Sequence, residues 1–133
     1  MSELDQVITA AYDSGGAQDK VNKVYVTLFR KILYIPVHKN NNKDDTFMPL
    51  YMQMNKNYFM LVFDSLTRLQ TWAANESKNV DYAEMLGADV LRYIGDGIVY
   101  LCLNVGTNFY KEFSPEEIAY LKKMLGKIAA LKK

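Results

Sequence analysis

The residues able to do chemistry are few and far apart. His38 is the one histidine and Cys102 the one cysteine among 133 residues. A histidine-based triad needs a nucleophile and an orienting acid around the imidazole, and a structural zinc site needs several sulfur or nitrogen ligands. The pair therefore excludes a multi-histidine or multi-cysteine metal site, and a single thiol excludes an intramolecular disulfide. Cys102 lies in the apolar run Ile98-Val99-Tyr100-Leu101-Cys102-Leu103, where a free cysteine serves as a small core residue. His38 closes an apolar segment and reads as a surface residue at a strand end.

The carboxylates offer little more. Asp44 and Asp45 fall in the polar stretch from Lys39 to Asp45, and Asp96 stands between Gly95 and Gly97. Neither group has the ordered spacing of oxygen ligands that a calcium loop requires. Glu76, Asp81 and Glu84 form a working pair only if the fold brings two of them to one cleft. Asp13-Ser14-Gly15-Gly16 precedes a helix, a place where backbone N–H groups can meet an anion. It lacks the lysine pattern and preceding strand of a phosphate loop, so it reads as a helix break. The expectation is no catalytic residue, no metal ligand and no cofactor.

Sixteen basic residues against fifteen acidic ones leave a net charge near zero, without the basic excess of a nucleic-acid binder. No apolar stretch approaches the roughly 20 residues that span a bilayer. The start, Met1-Ser2-Glu3-Leu4-Asp5-Gln6, lacks the basic-then-apolar order of a signal peptide. No nucleic acid, no membrane and a cytoplasmic location are expected. Half the residues are apolar and 23% charged, a globular composition that fits one domain over residues 1–133.

The elements that must position these residues follow from periodicity. Leu4 to Tyr12 reads as a short helix, broken at Asp13-Ser14-Gly15-Gly16. A second helix runs from about Ala17 to Lys31, with Val21, Val24, Tyr25, Leu28 and Phe29 on one face. Ile32 to His38 reads as a strand, and Pro36 assigns it to an edge or a bulge. Met48 to Met54 and Tyr58 to Phe63 form a hairpin about Asn55-Lys56-Asn57. Asp64 or Ser65 caps a helix that buries Leu66, Leu69, Trp72 and Ala73 and stops near Asn75. Tyr82 to Tyr93 is ambiguous and fits a short helix interrupted at Gly87. Ile98 to Leu103 has the unbroken apolar character of a central strand covered on both faces. Asn104 to Asn108 is a turn, and Phe109 to Phe113 a short strand. Ser114, Pro115 and Glu117 give the last helix an N-cap, an N1 proline and a capping box, with Phe113 and Ile118 as a hydrophobic staple. The fold expected is α+β, a mixed or mostly antiparallel sheet of about four to six strands with packed helices and a capped C-terminal helix.

Several junctions resemble those of a known family. They are Ile32-Leu33-Tyr34-Ile35-Pro36-Val37, then Val62-Phe63-Asp64-Ser65 leading to Leu69 and Trp72, then Asn104-Val105-Gly106, and Ser114-Pro115-Glu116-Glu117. Their order from about Val21 onward resembles the N-terminal domain of the SseB family, named for enhanced serine sensitivity. Asp64 stands where that family commonly has threonine, and Val105 where it has proline. The resemblance implies an α+β fold and a cytoplasmic bacterial protein, and supplies no catalytic residue.

Both faces of the hairpin are largely apolar or aromatic. One must join the core and the other must be covered, by helices, a second copy or a partner. Tyrosine and methionine are enriched at interfaces. The candidate interface is therefore Tyr51, Met52, Met54, Tyr58 and Met60. The leading expectation is a non-enzymatic protein-interaction or adaptor domain that docks a protein partner or self-associates there. The alternatives are a small-molecule-binding or unconventional enzyme domain, marked by a deep polar pocket, and a secretion chaperone or toxin-neutralising (immunity) protein.

Overall fold

Among the described residues the computed structural model has eleven elements: α1 (Glu3–Asp13), α2 (Gln18–Arg30), β1 (Ile32–His38), β2 (Tyr51–Met54), β3 (Asn57–Val62), α3 (Leu66–Asn75), β4 (Val80–Leu86), α4 (Gly87–Tyr93), β5 (Val99–Leu103), β6 (Lys111–Phe113) and α5 (Pro115–Leu131). The described residues are 2–38, 49–94 and 99–131, with side chains described as far as Ile128. The expectations for the Lys39–Asp45 loop, for Met48, for the Gly95-Asp96-Gly97 turn and for Ile98 fall outside them.

Local chemistry sets most of the boundaries. The Ser2 hydroxyl accepts from the Asp5 N–H while the Asp5 carboxylate accepts from the Ser2 N–H, a capping box that starts α1. Gly15 and Gly16 both have positive φ, and the Gly16 N–H reaches back to the Ala11 carbonyl to close that helix. Asn55 and Lys56 also have positive φ (51° and 72°). This is the backbone of a two-residue type I′ turn, and Asn57 belongs to β3 rather than to the turn. Ser65, not Asp64, caps α3 by accepting from the Arg68 N–H. Ser114 caps α5 through the Glu117 N–H. The Glu117 carboxylate itself accepts from the Tyr25 hydroxyl at 2.6 Å, so it ties α5 to α2.

The strands form a four-stranded mixed sheet, ordered β2-β3-β5-β6, and a two-stranded antiparallel ribbon, β1-β4. β3 and β5 are parallel; the other pairs are antiparallel. Bridges from Tyr34 to Phe63 and from Val37 to Pro49 join the ribbon to the sheet. Pro36 sits at that seam. The neighbouring Tyr34 turns its N–H and C=O to Phe63, so residues of the same parity face away from β4, and the Pro36 carbonyl accepts from the Leu50 N–H. The missing proline N–H thus falls where the ladder between the two sheets is already interrupted.

Residues 82–86 are strand, not helix. They alternate between the ribbon's two faces opposite β1, and Gly87 marks the strand-to-helix junction rather than a break within one helix. A Cβ on Gly87 would lie 1.9 Å from the Leu28 carbonyl oxygen, so only glycine lets β4 turn into α4 this close to α2. The strand expected over Phe109–Phe113 is confined to Lys111–Phe113.

Two cores result. The larger packs α1, α2, α4 and α5 against one side of the strands, around Leu28, Leu33, Ile35, Met60, Leu101 and Leu103. The smaller packs α3 alone on the other side, with Leu69, Trp72 and Ala73 against Leu61, Phe63 and Cys102. β5 is thus covered on both faces, as its apolar run predicts.

Candidate interaction surface

The five hairpin residues do not form one surface. Tyr51 pairs with Met60, Met52 with Phe59 and Gln53 with Tyr58. Alternation then puts Tyr51, Tyr58 and Met60 on one face and Met52 and Met54 on the other. Met60 is completely buried in the larger core and cannot contact a partner. Met52 packs against the smaller core. Tyr51, Tyr58 and Met54 are exposed, but on opposite sides of the strand pair. The Tyr51 hydroxyl is also engaged internally: burial and then the nearby Tyr93 hydroxyl push it above the ordinary tyrosine range.

The candidate chemical groups are equally dispersed. His38 is exposed at the end of β1. Cys102 is buried, and burial pushes its thiol up to about 11, against the hydrogen bond from Tyr110; it stays a thiol rather than the reactive thiolate. Asp64 meets Asp5 through Arg68. The guanidinium contacts both Asp5 oxygens at 2.8 Å and Asp64 Oδ1 at 2.7 Å. Burial alone would raise the Asp5 carboxyl, but Arg68 and Ser2 outweigh it and hold it below the usual carboxylate range. The Asp64 N–H donates to Asn104 Oδ1, and Asn104 sits fully buried at φ 57°. This cluster joins α1 and α3 to the carboxyl ends of the parallel strands β3 and β5. The sequence order that places Asp64 after β3 and Asn104 after β5 hints at it, but nothing in the sequence brings Asp5 to Arg68.

A cleft of about 350 Å³ opens between α1, α2 and β6. Its lining is mostly apolar, and its polar groups are already engaged. Tyr12 donates to the Tyr110 carbonyl, Tyr25 to Glu117, and Lys111 pairs with Glu117 at 3.4 Å. No group of three or more metal-ligating side chains converges among the described residues. No helix there is long and apolar enough to cross a membrane.

An open apolar area lies on the β1–β4 ribbon, which sequence reasoning missed because β4 was not legible as a strand. Ile32 lies directly opposite Leu86, Tyr34 opposite Glu84 and Pro36 opposite Tyr82. These residues share the outer face, while Leu33 and Ile35 point into the larger core. Ile32, Tyr82 and Leu86 are 44, 46 and 40% exposed. The Tyr82 ring rests 5.9 Å from the ring of Tyr34, extending the patch toward the part of the sheet that α3 covers. The signal available in the sequence was the alternation Val80, Tyr82, Glu84, Leu86 against Asp81, Ala83, Met85.

No curated protein and no solved structure matches the chain. The family described as SseB protein N-terminal domain matches residues 4–120, which adds α1 to the span over which the strand and cap junctions resemble that family. With the match running from α1 into the first turns of α5, the chain belongs to the SseB family through its N-terminal domain.

Proposed function

We propose that this domain is a non-enzymatic protein-interaction module and that the outer face of the β1–β4 ribbon is its docking surface. The observation that carries the reading is the exposed set Ile32, Leu86 and Tyr82 on one face: Ile32 lies opposite Leu86, Tyr82 stands four residues along β4, Glu84 lies between them and His38 at the far end. Contiguous apolar surface with a polar rim is how soluble proteins meet partners. The separation of His38 from Cys102, the protonated thiol and the neutralisation of Asp5 by Arg68 all favour binding over catalysis. The partnered state of Tyr12, Tyr25 and Lys111 favours it over a polar ligand in the cleft.

The test is an affinity purification from the native cell with the full chain and with the double variant Ile32→Ser/Leu86→Ser. The expected outcome is a partner retained by the parent chain and lost by the variant, with the circular dichroism spectrum unchanged. Identical retained proteins for both chains would reject the reading.

A further inference from the structure

The ribbon's outer face ends at a strand edge with no neighbour among the described residues. β4 pairs only with β1. Register shows which of its groups are free. Tyr34 directs its N–H and C=O away from β4, and Gly87 donates to Lys31. Residues 81, 83 and 85 therefore make the bonds to β1, and the N–H and C=O groups of Tyr82 and Glu84 point outward.

Open edges are normally blunted by shortness, charged side chains (lysine above all), proline or a bulge. The strands ending the other sheet follow that rule. β6 has three residues and carries Lys111; β2 has four and runs straight into the turn at Asn55 and Lys56. β4 has seven residues, no proline, no lysine and an unbroken register with β1. Its two charges, Asp81 and Glu84, are both exposed acids without an ion-pair partner among the described residues.

We infer that β4 is a strand-addition site for an extended segment of a partner protein bearing basic residues opposite Asp81 and Glu84 and apolar residues opposite Tyr82 and Leu86. This rests on the docking surface proposed above and gives it a backbone mechanism. For an antiparallel guest, the alternation sets the order apolar, any, basic, any, apolar, basic opposite Leu86 to Asp81. A second copy of β4 fits less well. The symmetric pairing about Ala83 brings four carboxylates and no cation to the seam, with the two Glu84 side chains on one diagonal, and like charges so placed repel.

The peptide Val-Thr-Lys-Thr-Val-Lys is the probe, titrated against the full chain by NMR, with Val-Thr-Glu-Thr-Val-Glu as the control. Saturable shifts centred on the Tyr82 and Glu84 amides are expected for the basic peptide, and binding at least about tenfold weaker for the acidic one. Glu84→Pro removes an outward N–H without touching the β1 ladder and should abolish binding. Should that variant fail to fold, the double variant Asp81→Lys/Glu84→Lys decides: it should reverse the preference between the two peptides. Absence of saturable binding, or equal binding by Glu84→Pro, overturns strand addition. Peptide-free self-association that Glu84→Pro abolishes overturns the basic guest in favour of a second copy. A cellular partner lost with Ile32→Ser/Leu86→Ser but retained by Glu84→Pro overturns strand addition while the docking face stands.

Discussion

Two pairs of acidic residues, one beside the four-stranded sheet and one on the β1–β4 ribbon, are treated in opposite ways. Asp5 and Asp64 are buried at the carboxyl ends of β3 and β5, and Arg68 reaches both. Asp81 and Glu84 are exposed on β4 with no ion-pair partner among the described residues. The first pair is closed: Arg68 bonds both carboxylates and the Ser2 N–H adds a bond to Asp5, which offsets desolvation at all but the buried, unpartnered Asp64 Oδ2. The second pair is open among the described residues, on a strand whose outward backbone groups have no partner strand there and which exposes Tyr82 and Leu86. The contrast separates charge used to hold the fold from charge presented to the outside.

Removing Arg68 breaks the comparison most strongly, because it turns the closed pair into a buried uncompensated one. Arg68→Ala should destabilise the protein by about 3–5 kcal/mol in denaturant unfolding at neutral pH. Asp5 gives this a pH signature. Its folded pKa is depressed, so its stabilisation is fully present above the ordinary carboxylate value of about 4 and is lost as pH falls through the lower folded value. The parent chain should lose that increment on acidification, and Arg68→Ala should show little of it.

Next in size is Gly87→Ala, which tests whether the open ribbon is held in place by the fold. The new Cβ would strike the Leu28 carbonyl, and the cost should be about 3 kcal/mol. Faster hydrogen exchange should appear first at the Asp81, Ala83 and Met85 amides. A neutral effect would show that the close approach of α4 to α2 does not position β4.

The smallest effect sharpens the comparison at the open pair. Glu84→Lys should change stability by no more than about 0.5 kcal/mol, since an exposed charge without a partner contributes little to folding. A loss comparable to that of Arg68→Ala would show that Glu84 is structural and that the two pairs are alike.

Much of the frame was legible before any coordinates. Ser114 and Pro115 mark the start of α5, Asn55-Lys56-Asn57 marks the hairpin turn one residue too long, and Leu69 with Trp72 defines the face α3 buries. These features are written within a few residues, in caps, turns and helical spacing. The candidate surface was misplaced for an equally physical reason. Alternation shows that the hairpin has two apolar faces but does not say what lies over either, and Met60 proved to be core. In 82–93, methionine, leucine and alanine suit helix and strand alike. The choice was made by contact with β1 and by the tight passage of Gly87 past Leu28.

The sequence by itself determined an α+β chain with one histidine, one thiol and balanced charge, because composition, caps and periodicity are local properties. Tertiary structure alone decided that β3 and β5 run parallel, that Arg68 meets an aspartate 63 positions earlier, and that β4 pairs only with β1 among the described residues. Those outcomes depend on which segments compete for the same neighbour. The hydrogen-bonding groups of β4 are no different in kind from those of β3; they differ in having, among the described residues, only one strand beside them.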